Sequence, residues 1–134
     1  MSDDLSLDGL RILIVDDEFL IAMNIESLVE DNGGQPVGPV GDIPGALAII
    51  KGEPLDGVLL DANLNGASSE PIALALQAAG IPFVVITGYG RLDLDGVTLS
   101  AAPRLTKPLI AREFEAMLGQ VFGAAAAGRR ARIG

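Results

Sequence analysis

Apolar positions along this chain fall alternately into short unbroken runs and longer stretches with helical spacing. "LRILIV" (10–15) is short, continuous and rich in β-branched residues, as a strand buried on both faces requires. In the following "EFLIAMNIESLVEDNGG", Phe19, Ile21, Ala22, Ile25, Leu28 and Val29 form the apolar stripe of an amphipathic helix, and Gly33-Gly34 stops it. "QPVGPVG" is a weaker strand whose two prolines suit a sheet edge. "DIPGALAIIKGE" predicts a short helix with Asp42 as its N-cap. "LDGVLLDANLNG" predicts a strand over 57–60 and then a polar loop. "SSEPIALALQAAG" predicts a helix with a serine cap, Pro71 in its first turn and a glycine stop. "IPFVVITGYG" is a further buried strand with a glycine-rich loop, and "RLTKP" ends a last strand. "LIAREFEAMLGQVFGAAAA" is a closing amphipathic helix. The segment "GRLDLDGVTLSAAP" fits a helix poorly: Gly96 interrupts it, Val97 and Thr98 are β-branched, and Pro103 ends it. A loop or a short frayed turn is predicted there.

A β-α unit thus repeats five times with one weak link, which implies a parallel sheet with helices on both faces. Sheets of this kind bind ligands outside the carboxyl ends of their strands. Asp16 and Asp17 follow the first strand, Asp61 the third, Thr87 the fourth and Lys107 the fifth. Three carboxylates, a hydroxyl and an ammonium therefore converge on one edge. Taken singly, each has a plain structural reading. The acids Asp16, Asp17 and Glu18 would complement a helix dipole, Asp61 and Thr87 would bond their own loops, and Lys107 would be solvated. Those readings leave the convergence unexplained.

Composition narrows the chemistry. At 134 residues the default is one domain, and the core must be aliphatic because aromatics make up only 4%. The expected division is an N-terminal extension over 1–9, a domain over 10–123 and a solvated tail over 124–134. With no cysteine there is neither a disulfide frame nor a thiolate metal site, and with no histidine the commonest general base and metal ligand are missing. Any metal would be a hard cation held by oxygen, such as Mg²⁺ or Ca²⁺. The net charge of −9 argues against nucleic acid as the main partner. No apolar run is long enough for a membrane span, and the acidic N-terminus is unlike a secretory signal. A cytoplasmic protein is expected.

Carboxylates crowded in a shallow crevice repel one another unless they share a divalent cation. Asp17 and Asp61 suit direct ligation, with Asp16 acting directly or through water. One carboxylate can then attack phosphorus and form an acyl phosphate, with the cation, Lys107, Thr87 and backbone N–H groups sharing the equatorial oxygens. Asp61 is the best nucleophile, since it stands alone after its strand beside the small Ala62 and the turn-forming "NLNG".

At these residues the sequence resembles the receiver domains of bacterial two-component response regulators. "ILIVDDE", "GVLLDANLNG", "ITGYG" and "LTKP" occur in the family's order, and the resemblance spans Leu10 to Phe122. It implies a flavodoxin-like doubly wound (βα)5 fold with a five-stranded parallel sheet. It implies that Asp61 accepts a phosphoryl group from a sensor kinase's phosphohistidine. Asp16, Asp17, Asp61 and the backbone carbonyl of Asn63 would place Mg²⁺, Thr87 and Lys107 would bind phosphate, and Lys107-Pro108 would be cis. "IPFVVITGYG" further resembles a Phe-Ala-Thr-Gly-Tyr subgroup of stand-alone alphaproteobacterial receivers, with Pro82, Phe83, Thr87, Gly88, Tyr89 and Gly90 matching. Val85 and Ile86 depart from that pattern. So does Arg104, where most receivers place an aromatic switch three residues before the lysine; Tyr89 is a candidate substitute. Asn65 replaces the family's usual proline.

The resemblance implies a signalling module rather than an enzyme. Its partners would be a sensor histidine kinase or phosphotransfer protein upstream and a protein downstream, since too few residues follow the closing helix for an output domain. A Mg²⁺-dependent aspartyl phosphatase of the haloacid dehalogenase type would need an acid at position 63, which is Asn. A non-phosphorylated pseudo-receiver would be expected to have lost some of the five groups, and all five are present.

Overall fold

The β-branched runs form strands and the amphipathic stretches form helices in the computed structural model, which describes residue 7 and residues 9–88 and 96–133, with side chains to 123. The elements in order are β1 (Arg11–Val15), α1 (Phe19–Asp31), β2 (Gln35–Val40), α2 (Ile43–Gly52), β3 (Gly57–Asp61), β4 (Asn63–Leu64), β5 (Ala67–Ser68), α3 (Glu70–Ala79), β6 (Phe83–Thr87), α4 (Val97–Ala101), β7 (Arg104–Thr106) and α5 (Ala111–Ile133). The main sheet is parallel with order β2-β1-β3-β6-β7, the flavodoxin-like doubly wound arrangement. The proline-bearing β2 lies at an edge, where a missing N–H leaves no buried gap in the ladder.

Strand alternation divides the core into two layers. Ile12 and Ile14 of β1, with Leu59, Val84 and Ile86, face α1 (Ala22, Ile25, Val29) and α5 (Phe114, Leu118, Phe122). Leu13 and Val15, with Val58, Leu60 and Val85, face Ala46 of α2, Ile72, Ala73 and Leu76 of α3, and Leu99 of α4. Leu7 is fully buried in the first layer, and α5 runs on past residue 123 to Ile133.

Three local expectations need correction. Phe19, at the first position of α1, is 70% exposed, while the rest of the expected stripe packs: Ala22, Ile25 and Val29 are buried, and Ile21 and Leu28 are partly buried against the same layer. The polar loop after β3 contains the antiparallel β4–β5 ladder. Ser69 occupies the N-cap of α3 without capping it; its hydroxyl donates instead to the backbone carbonyl of Asp61, while Ser68 Oγ accepts the N–H of Glu70. Asp42 does cap α2, accepting the Gly45 N–H at 2.7 Å. Among the described residues between β6 and β7, the helix is the five-residue α4, so the fourth helix is short.

Candidate functional site

All five sequence-predicted groups lie at the carboxyl edge of the sheet, because parallel strands end on the same side. Asp16 follows β1, Asp61 ends β3, Thr87 ends β6 and Lys107 follows β7. Asp16, Asp61 and Thr87 are buried. The cleft, of about 340 Å³, is lined by Asp17, Glu18, Asp61, Asn63, Asn65, Gly66, Gly88 and Lys107.

Lys107 reaches over the cleft. Its Nζ lies 2.7 Å from Glu18 Oε1, 3.3 Å from Asp61 Oδ2 and 3.6 Å from Asp16 Oδ2. The Lys107-Pro108 bond is cis. Backbone N–H groups hold one oxygen each of Asp16, Asp61 and Asp17. Asp16 Oδ1 accepts from Glu18 (2.8 Å), Asp61 Oδ1 from Asn63 (3.1 Å) and Asp17 Oδ2 from Asn65 (3.0 Å). Asn65 adopts a left-handed φ of 53°, which asparagine tolerates better than most residues, and this brings its N–H to Asp17. Asn63 Oδ1 accepts from Gly66 and closes the turn.

Burial governs the electrostatics. Desolvation pushes the Asp61 carboxyl up to about 6; the Asn63 N–H and Lys107 oppose this, and Asp16 adds to it. Desolvation likewise raises Asp16 above the ordinary carboxylate range. Burial would lower Lys107, but Glu18, Asp61 and Asp16 outweigh it and hold the ammonium form.

A hard cation fits this donor set. Asp16 Oδ2 is buried without a hydrogen-bond partner, an arrangement that is unfavourable unless something else ligates the oxygen. Carboxylate oxygens of Asp16, Glu18 and Asp61 lie within 4.8 Å of one another. Asp17 borders the cleft with one oxygen committed to Asn65. Thr87 stands apart from these contacts, its hydroxyl donating to the Gly88 carbonyl at 3.3 Å. Tyr89 and Gly90 fall outside the described residues. Glu18 is the site residue that sequence reasoning left out. It was visible as the third acid of "DDE", but its pairing with Lys107 was not.

No protein-family model matches the chain. SdrG of Sphingomonas melonis Fr1 is 38% identical and covers 90% of this chain and 100% of its own, with a TM-score of 0.72. A beryllofluoride-activated conformation of SdrG also matches, at 37% identity, 87% of this chain, 99% of that one and a TM-score of 0.66. The phyllosphere-induced regulator PhyR of Methylorubrum extorquens is 31% identical over 113 residues, 82% of this chain; the chain spans 42% of that relative's length. PhyR of Bartonella quintana, described as an anti-anti-sigma factor, is 29% identical over 87% of this chain and 50% of its own, with a TM-score of 0.73. The magnesium-bound receiver domain of the sensor kinase PA1611 of Pseudomonas aeruginosa PAO1 shares the fold at 19% identity, covering 86% of this chain and 98% of its own, with a TM-score of 0.70.

Proposed function

The chain belongs to the receiver-domain family of response regulators, and from that premise we propose that it is a phosphoacceptor switch in which Asp61 carries the phosphoryl group. The observation that carries this reading is Asp61 itself. It is a buried carboxylate at the end of a central strand, 3.3 Å from the Lys107 ammonium and beside Asp16 Oδ2, which accepts no hydrogen bond.

An Asp61 oxygen attacks the phosphorus of a phosphohistidine donor; the new O–P bond forms as the N–P bond breaks, and the histidine leaves with its electron pair. Catalysis of such a transfer is mostly positioning and charge neutralisation. Lys107 meets one equatorial oxygen, and Thr87 is the hydroxyl available for another once it leaves the Gly88 carbonyl. Asp16, Asp17, Asp61 and the Asn63 carbonyl would hold Mg²⁺. When bound, the ion supplies Lewis-acid neutralisation of the phosphoryl charge. The magnesium in the active-site cleft of the PA1611 receiver supports the choice of ion.

A sensor kinase or phosphotransfer protein would load Asp61, and a downstream protein would read it. The net charge of −9 disfavours nucleic acid as that reader. The likeness to PhyR supports a circuit that ends in protein recognition. Among the described residues no helix is long and apolar enough to cross a membrane. Intact-mass spectrometry after incubation with acetyl phosphate and Mg²⁺ tests the reading. One added phosphoryl group in the wild type, absent in Asp61→Asn and absent with EDTA, is expected. Labelling of Asp61→Asn at the wild-type level would overturn it.

A further inference from the structure

The short helix α4 has no cap of its own. Its N-cap is Gly96, and its first residues, Val97 and Thr98, are β-branched. Five residues cannot hold a helix by propensity alone. The cap is supplied from another helix. Glu70, the first residue of α3, accepts the N–H of Thr98 at Oε2 (3.1 Å) and the N–H of Leu99 at Oε1 (3.0 Å). Gly96 makes room for this grip. Its φ is +131°, and a Cβ there would run into the Glu70 carboxylate. Leu99 is then fully buried in the same layer as Ile72 and Leu76 of α3.

The other end of the connection lies at Asp61. Ser69, adjacent to Glu70, donates its hydroxyl to the Asp61 carbonyl and its N–H to the Ala62 carbonyl (3.0 Å). Ser69 is fully buried, so this contact is not exchanged for water. Three links therefore run without a gap from the backbone of Asp61, through Ser69, to Glu70 and the first turn of α4. The usual route through an aromatic before the lysine is missing, since position 104 holds an exposed arginine.

We propose that Ser69 and Glu70 are positioning residues that couple the state of Asp61 to the placement of α4. The proposal rests on the reading of Asp61 as phosphoacceptor. A change at the Asp61 carboxylate shifts the backbone that Ser69 grips. Ser69 and Glu70 are consecutive at the start of α3, so the shift reaches the Glu70 carboxylate. Both oxygens of that carboxylate hold α4, so α4 must follow or lose its cap.

The test uses the full chain with Mg²⁺ and beryllofluoride as the phosphoryl stand-in, read by amide NMR and hydrogen exchange. In the wild type, amides of Asn63 and Lys107 respond, and so do those of Thr98 and Leu99. Glu70→Gln keeps the size and removes the charge. About tenfold faster exchange at Thr98 and Leu99 is expected, with their response to beryllofluoride lost while Asn63 and Lys107 still respond. Ser69→Ala leaves the Glu70 grip intact; protection at Thr98 and Leu99 persists, but their response is lost. Wild-type responses at Thr98 and Leu99 in both variants would overturn the coupling alone. No response at Asn63 and Lys107 in the wild type would sink the phosphoacceptor reading, and the coupling with it.

Discussion

Asp61 holds its proton more tightly in the folded chain than in the unfolded one, chiefly through burial, with a pKa pushed up to about 6 from 3.8. A carboxyl raised in this way contributes stability that is complete below the unfolded value and lost as pH rises through the folded one. Without metal, the protein should therefore weaken between about pH 4 and 6. At pH 7 the buried charge should cost on the order of 1–3 kcal/mol. Asp61→Asn removes that cost. In EDTA at pH 7 it should melt several degrees above the wild type, and the gap should close near pH 4. A variant that melts lower at pH 7 would show that the carboxylate is well accommodated. Glu18 makes a different residue-scale prediction. Its exposed carboxylate holds Lys107 at 2.7 Å, closer than Asp61 does. Exposed pairs of this kind are worth about 0.2–1 kcal/mol. Glu18→Gln should release Lys107 toward the phosphoryl site and remove a negative charge from the path of an anionic donor. Labelling by acetyl phosphate should rise roughly two- to fivefold at low salt, and less in high salt. An unchanged rate at both salts would mean that the lysine is not shared.

At the scale of elements, two glycines set how helices sit. Gly57 opens β3 where a Cβ would strike the ring of Phe122 in α5. The ring is fully buried and cannot swing away, so Gly57→Ala should cost about 1–3 kcal/mol, read as a lower urea midpoint. Gly96→Ala should expose the Thr98 and Leu99 amides to exchange, since a side chain there meets both a φ of +131° and the Glu70 carboxylate. Burial alone would raise Glu70, but the N–H groups of Leu99 and Thr98 and the Thr98 side chain outweigh it and hold its pKa below the ordinary value. The grip on α4 should therefore persist above about pH 4.5 and be lost as pH falls through the depressed folded value. These cases show what sequence patterns can and cannot carry. The parallel strands were legible because β-branched runs and glycine stops are local signals, and topology then brings their ends to one edge. That α4 is short was legible in Gly96, Val97, Thr98 and Pro103. Its cap was not, because Glu70 lies 28 residues away and only packing brings the two together. The Glu18–Lys107 pair, 89 residues apart, was hidden for the same reason. The exposure of Phe19 depends on where α1 begins, and the turn of the Thr87 hydroxyl toward Gly88 is a rotamer choice. Neither has periodicity.

For the molecule as a whole, charge is the dominant constraint. Eighteen acids stand against nine bases, and the acids of the cleft share one lysine. Folding brings carboxylate oxygens of Asp16, Glu18 and Asp61 within 4.8 Å of one another, with Asp16 Oδ2 left without a hydrogen bond, so the native state concentrates a repulsion that the unfolded chain can disperse. A divalent cation that binds only the folded cleft should stabilise the entire domain. At a hundredfold excess over Kd the gain is about 2.7 kcal/mol, equivalent to roughly 6–12 °C in Tm for a chain of this size. General screening would also help a protein of net charge −9, so the comparison must be made at matched ionic strength. Thermal melts with Mg²⁺ should then exceed those with K⁺. Asp16→Asn should lose most of the difference, because it removes charge at the oxygen that folding leaves without a hydrogen bond. If Mg²⁺ and K⁺ raise Tm equally, the stabilisation belongs to the surface as a whole. If they differ and Asp16→Asn abolishes the difference, it belongs to the cleft at the ends of β1 and β3.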